Sequence, residues 1–210
     1  MLEGDALSQC RKCPRLASFR DEAKVRYPDY RCLPVPALGA DNAKIVIVGL
    51  APGLHGANAT GRAFTGDFAG ILLYETLYRM GLSNQPRSVA VGDGLALKGC
   101  RISNAVKCVP PANRPTGAEI QTCAPYLTAE LAHQPAGGVI IALGRIAHDA
   151  VLRAFREPLS HFRFGHGARH VVGGRVLWDS YHCSRYNTQT KRLTEASFTA
   201  VFEAALREVL

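Results

Sequence analysis

Apolar residues in this chain fall into four short runs that alternate with stretches of helical periodicity. Residues 44–49 (KIVIVG) form a β-branched run ending in glycine, the pattern of a strand buried on both faces of a parallel sheet. Residues 67–80 follow with Ile71, Leu72, Leu77 and Tyr78 at helical spacing. Residues 101–106 predict a second strand with its helix over 116–131, and residues 138–143 (GVIIAL) a third with a helix over 146–155. Residues 175–180 (RVLWDS) predict a fourth strand. Thr194 then caps a last helix with Phe198, Val201, Phe202, Ala205, Leu206 and Val209 along one stripe. This alternation predicts an α/β fold, a three-layer α/β/α sandwich around a central four-stranded parallel sheet. Ligands of such sheets bind beyond the carboxyl ends of the strands. Here those ends lead into segments 50–67, 104–113, 144–145 and 181–187, which hold most of the unusual polar residues.

Composition narrows the picture. A chain of 210 residues, 47% hydrophobic and 20% charged, predicts one domain spanning 1–210 with a full-sized core. The sequence has no run of membrane-spanning length and its first residues carry no apolar signal core, so a cytoplasmic protein without a membrane partner is expected, and a monomer. Thiols stay reduced in that compartment, so the seven cysteines read as ligands plus spares. Cys10 and Cys13 have the C-x-x-C spacing of a metal site, and Cys108 and Cys123 supply a second pair far along the chain. Four thiolates from distant segments suit an iron–sulfur cluster or a closed zinc site, and spacing leaves both open. Cys32, Cys100 and Cys183 read as small apolar residues. A net charge of +8, from 25 basic and 17 acidic residues, favours a polyanionic partner, nucleic acid first. Arg62, Lys107, Arg114, Arg145, Arg185, Lys191 and Arg192 lie near the ligand edge as candidate phosphate contacts.

The loop GLAPGLHGANATGRAFTGDFAG, residues 49–70, has the glycine content of a backbone approached closely by a ligand. It contains neither a Walker loop nor a G-x-G-x-x-G fingerprint. Its string GLAPG…HG.N.TGR.FTGD resembles the first motif of the uracil-DNA glycosylase superfamily, in particular family five, the broad-specificity, iron–sulfur-containing B-type enzymes. SYHCSRYNTQTKRLT at 180–194 resembles that family's second motif, S-Y-H-x-S-R-x-N-T-x-T-x-R-L-T. NAVKCVPPANRPT at 104–116, ALGRIA at 142–147 and CRKCPRL at 10–16 match as well, so the resemblance runs through nearly the whole chain in order.

The resemblance implies base excision from DNA. An everted base needs an apolar plate, hydrogen-bonding groups for its edge, and stabilisation of two opposite charges as the N-glycosidic bond breaks. Phe64 is the expected plate, and a buried core Phe is the alternative. Asn104 is expected to offer donor and acceptor to an imide-like edge, with a turn-forming Asn as the alternative. Gly49, Ala51 and His55 complete the expected base contacts, although a solvated loop His also fits His55. Asp67 is expected to activate water and stabilise the sugar cation, a role compatible with capping a helix. Asn113 is expected to assist, and His182 to stabilise the departing base anion. Arg62, Ser184, Arg185, Tyr186 and Asn187 are expected on the DNA. Many superfamily members carry an acid or amide just after the first strand. Here Leu50 and Ala51 stand there, which throws the polar work onto Asp67 and leaves an apolar patch able to admit deaminated purines. Cys183 stands where the family often has proline or an apolar residue, and reads as packing.

The resemblance also implies a [4Fe–4S] cluster on Cys10, Cys13, Cys108 and Cys123, tying the segment 1–40 to the core. The expected function is therefore a monofunctional glycosylase of base excision repair that removes uracil, and also hypoxanthine or xanthine, from damaged DNA. Two other classes compete. One is an iron–sulfur nucleic-acid-binding or redox-sensing protein that has lost the activity, which the Leu50–Ala51 departure leaves open and the intact Asp67, Asn104 and His182 set argues against. The other is a zinc-stabilised nucleotide hydrolase, which lacks a phosphate loop here.

Overall fold

A run such as IVIVG, β-branched and uncharged, has no solvated face and is stable only between two apolar layers. The computed structural model, which describes residues 6–209, places it in that setting. Six strands, β1 (Leu38–Gly39), β2 (Ile45–Gly49), β3 (Cys100–Asn104), β4 (Val139–Leu143), β5 (Arg169–Val172) and β6 (Arg175–Ser180), form one sheet in the order β1-β3-β2-β4-β6-β5. The four inner strands are parallel, as their apolar runs predict, while β1 and β5 pair antiparallel at the two edges. The expected four-stranded parallel sheet is thus corrected to a mixed sheet of six. Both extra strands are marginal in sequence: β1 has two residues, and the RHVV of β5 is exposed on alternate positions. Such polar, short edges protect a sheet from pairing with another chain.

Helices cover both faces. Ile45 and Ile47 of β2 point into one core with Leu73, Tyr74 and Leu77 of a helix at Phe68–Arg79 and with Phe198, Val201 and Phe202 of a helix at Glu195–Arg207. Val46 and Val48 point into the other, against Leu127 and Leu131 of Gly117–Ala132 and Val151 and Leu152 of Arg145–Ala154. A helix unforeseen in the sequence, Pro14–Arg26, adds Leu16 to this second core. In chain order these helices are α1 (Pro14–Arg26), α2 (Ala57–Thr60), α3 (Phe68–Arg79), α4 (Gly117–Ala132), α5 (Arg145–Ala154), α6 (Arg185–Gln189) and α7 (Glu195–Arg207). Among the described residues, no helix is long and apolar enough to cross a membrane.

The chain leaves β2 for β3 on one side and later returns to β4 on the other, so the connections diverge at β2. A crevice opens there beyond the strand ends. Gly49 and Asn104 are register partners at the ends of β2 and β3, and Leu143 and Ser180 at the ends of β4 and β6. Four loops therefore start from one rim.

Lys107, a candidate phosphate contact, is turned inward instead: only 1% exposed, its Nζ lies 2.7 Å from Glu130 Oε2 and also contacts Ser103 Oγ. A buried cation is tolerated only when paired, and removing one partner strands the other. Lys107→Ala should lower stability by about 3 kcal/mol, with Lys107→Ala/Glu130→Ala recovering much of that loss, as read by denaturant unfolding.

Candidate active site

The loop from β2 to α3 is built around two close approaches. Asp67 caps α3, its Oδ1 accepting from Gly70 N at 3.0 Å. A Cβ on Gly70 would lie 1.8 Å from the Phe64 carbonyl oxygen, so only glycine lets the chain fold back this tightly. That closure holds Phe64 in the left-handed region at φ +54°, a costly conformation for a bulky residue. The neighbouring residues are clamped. Tyr74 Oη donates to Ala63 O at 2.7 Å, and Thr65 Oγ1 pairs with Ser88 Oγ at 2.6 Å. Arg62 contacts Ser88 Oγ at 2.8 Å, Asp93 Oδ1 at 2.8 Å and the Ala90 carbonyl. Arg62, 8% exposed, is therefore a buried clamp for the Phe64 segment and not the DNA contact expected of it.

A cavity of about 510 Å³ opens over the rim. Phe64, Asn104, Asp67, His182, Ala51 and Asn113 line it, so the expected plate, amide, imidazole and carboxylate meet in one place. Phe64 and His182 lie with ring centroids 5.9 Å apart and planes 24° from parallel. The Asn104 side chain is 3% exposed, and its Oδ1 is buried without a hydrogen-bond partner. Gly49 makes this convergence possible, since a Cβ there would meet Asn104 Oδ1 at 2.4 Å and Phe64 Cζ at 2.6 Å. Asn113, in the left-handed region at φ +54°, stands on the exposed rim.

Asp67 Oδ2 faces the backbone of Gly53 and Gly56. Burial raises the Asp67 pKa, partly offset by the amides of Gly70 and Ala69. Burial pushes the His182 pKa down to about 4, so the ring is neutral at neutral pH. No hydrogen bond to the His182 ring is found among the described residues, whereas its carbonyl is held by Asn187 Nδ2 at 2.8 Å.

The remaining expected residues divide. Ser184 lines the cavity and caps α6 by accepting from Asn187 N. Arg185 also lines it, its guanidinium 5.2 Å from the Phe68 ring centre. Tyr186 projects outward, 70% exposed. Asn187, expected on DNA and as a residue that orders this loop, braces the His182 carbonyl. His55, expected at the base, is exposed and outside the cavity, its Nδ1 2.8 Å from Tyr30 Oη. Arg114, Arg145, Arg185, Lys191 and Arg192 are solvent-exposed, as phosphate contacts must be. Residues missed in the sequence include Phe68, Ala57, Leu143 and Ile146 in the cavity wall. Phe68 follows the capping Asp and Ile146 sits in the first turn after β4, positions that the rim geometry alone singles out.

Cys10, Cys13, Cys108 and Cys123 surround a second, small cavity together with Arg20, Lys107 and Tyr126. Lys107 N donates to Cys123 Sγ at 3.3 Å, and Arg20 Nη2 to Cys10 O at 2.9 Å. Arg20 Nε is buried without a partner. Cys183 is fully buried in the first core, consistent with packing.

The profile of the Uracil DNA glycosylase superfamily matches residues 36–206. A Type-5 uracil-DNA glycosylase of Thermus thermophilus is 46% identical over 207 residues, covering 96% of this chain and 94% of the relative. One of Pyrobaculum aerophilum is 41% identical over 204 residues, covering 95% and 88%. A Type-4 uracil-DNA glycosylase of Saccharolobus solfataricus is 30% identical over 210 residues, covering 97% and 85%. This chain belongs to the uracil-DNA glycosylase superfamily.

The depressed His182 pKa has a consequence for stability. Its folded value near 4 lies below the unfolded value of 6.5, so the unfolded chain binds more protons between them. Stability should therefore fall as pH drops from about 6.5 towards 4, and His182→Gln should flatten that part of the profile. Thermal unfolding across this window measures both slopes.

Proposed function

We propose that the protein is a monofunctional DNA glycosylase of base excision repair that hydrolyses the N-glycosidic bond of uracil in DNA. The observation carrying this reading is the buried, unpartnered Asn104 amide oxygen in a cavity shared with Phe64, His182 and Asp67. A buried polar atom left unpaired costs free energy unless a ligand satisfies it. The amide has the donor and acceptor that an imide edge requires, and the Phe64 ring offers a flat face for the everted base.

The chemistry needs no covalent enzyme intermediate. As the bond from sugar C1′ to the base nitrogen breaks, its electron pair moves onto the base and C1′ becomes cationic. Neutral His182 donates a hydrogen bond to the base oxygen that gathers this charge, a contribution of about 10²- to 10³-fold for a well-placed donor. Asp67 stabilises the sugar cation and accepts the proton of the water whose oxygen bonds to C1′. A carboxyl made more basic by burial suits that last step. The 510 Å³ cavity and the apolar Leu50 and Ala51 in its wall support a broader range that includes hypoxanthine and xanthine.

The same reading assigns a [4Fe–4S] cluster to Cys10, Cys13, Cys108 and Cys123. Support comes from their common cavity. The partnerless Arg20 Nε beside them suits an anionic centre. When bound, the cluster supplies iron–thiolate links between the N-terminal segment and the loop after β3. Hydrolysis itself transfers no electrons.

Duplex DNA carrying one uracil should be cut at that position after incubation and alkali, with hypoxanthine and xanthine tested alongside. Absence of release from every deaminated base overturns the reading. Asp67→Asn, which preserves the helix cap, should slow release by about 10²- to 10⁴-fold while DNA binding persists. Purified protein should be brown and contain iron and acid-labile sulfide in equal amounts, and stoichiometric zinc would refute the cluster.

A further inference from the structure

Beside the cavity lies a surface that the base-release chemistry does not use. The turn after α1 carries Tyr27 and Tyr30, whose rings stack with centroids 4.7 Å apart at 15°. His55 stands edge-on to both rings, at 5.3 and 5.9 Å. The bond from Tyr30 Oη to His55 Nδ1 fixes the imidazole. A phenol donating there leaves Nε2 protonated, with no bond to it found among the described residues. The guanidinium of Arg26 lies 5.6 Å from the Tyr27 ring centre. Lys24 Nζ reaches the carbonyls of Pro28 at 2.7 Å and Tyr30 at 2.6 Å, which sets the turn.

This surface is tied to the helix that borders the cavity. Arg31 N donates to Ala59 O at 2.9 Å and Cys32 N to Asn58 O at 3.0 Å, docking the turn onto α2. Ala57 of that helix lines the cavity. The Arg31 side chain lies across Gly61, where a Cβ would meet its Cδ at 2.2 Å, and its residue is exposed. His55 precedes Gly56, whose would-be Cβ meets Asp67 Oδ2 at 2.5 Å, so the backbone that carries the imidazole also packs against the reacting carboxylate. Between residues 24 and 31 stand three cations and one acid, Asp29.

We propose that His55 and Arg31, held by Tyr27 and Tyr30, form a phosphate grip for the DNA strand immediately flanking the everted nucleotide. The grip rests on the DNA-glycosylase reading above. A fixed N–H donor and an exposed guanidinium, aromatic-backed and next to a base cavity, match a phosphodiester that must be held as its neighbour is rotated out. The extruded base can enter its cavity only if the adjoining backbone is held, and these groups lie on the turn and loop next to the helix whose Ala57 lines that cavity.

The test is binding of duplex DNA carrying an uncleavable 2′-fluoro uridine analogue, measured from 50 to 200 mM salt. Arg31→Ala and His55→Ala should each weaken binding about tenfold, and Arg31→Ala should reduce the salt slope by about 1. Arg31→Lys should keep the slope. Wild-type protein should bind the analogue more tightly when the strand extends past it on both sides than when it is cut back to the analogue on one side. The alanine variants should lose that gain on one side only. Wild-type affinity, slope and extension dependence in both alanine variants, folded by thermal unfolding, would overturn the grip. Loss of uracil release in the wild-type protein with these binding effects intact would instead count against the glycosylase reading alone.

Discussion

The site depends on a missing methyl group. At the end of β2, Gly49 faces its register partner Asn104 across the strand ends, and the Phe64 ring closes over both. A Cβ at Gly49 would collide with Asn104 Oδ1 and Phe64 Cζ at once. The plate and the amide can therefore share one cavity only because the strand ends in glycine. The second close approach, Gly70 against the Phe64 carbonyl, brings Asp67 to the same rim by forcing the loop to reverse just before α3. Strain at Phe64 is the cost, and buried bonds from Tyr74, Thr65 and Arg62 hold it in place.

Rigidity is supplied differently for His182. Asp179, three residues upstream in β6, is fully buried between His148 Nδ1 at 2.8 Å and His170 Nε2 at 3.2 Å. His148 Nε2 lies 3.0 Å from the Phe162 carbonyl, so both ring nitrogens of His148 face acceptors. Burial alone would lower its pKa, but the Asp179 carboxylate and that carbonyl outweigh burial and raise it. Further along, Tyr181 N donates to His166 Nδ1 at 3.2 Å. The strand end is thus braced through its backbone and carboxylate, while the His182 ring lines the cavity beside Phe64 with no hydrogen bond to it among the described residues. Polar networks that are satisfied in this way specify one geometry.

Most of this arrangement was legible in the sequence where local pattern and final environment agree. The inner strands are apolar on both faces because both faces are covered, and the loops at their carboxyl ends carry the site because the topology directs them there. The edge strands were not legible, since RHVV in β5 reads as loop until β6 lies beside it. Helix α1 was missed because it buries only Leu16, Ala17, Arg20 and Ala23, two of them small and one charged. Charge is the least legible signal of all. Arg62 and Lys107 look like phosphate contacts in a basic chain, yet their partners Asp93 and Glu130 stand 31 and 23 residues away and draw them into the interior. Nothing local distinguishes such a residue from Arg185, which remains in solvent.

Helix α1 also gives the cysteines a mechanical meaning. Cys13 stands at its N-cap beside the four-cysteine cavity, and fourteen residues later Tyr27 stands at its C-cap. At 1.5 Å per residue this is a lever of about 20 Å. Its far end is held by two backbone bonds to α2 and by Arg31 over Gly61. Its near end has Arg20 on the Cys10 carbonyl and Arg15 paired with Glu119 at 2.7 Å. The Arg15 pair is bidentate, its guanidinium half-exposed and Glu119 largely buried. In the proposed cluster site, ligation by Cys10 and Cys13 would tie this end to the loop bearing Cys108. Thiolate ligation would then have a structural use in a reaction that transfers no electrons: it would fix the helix leading to Tyr30 and its bond to His55, in the loop that also bears Asp67.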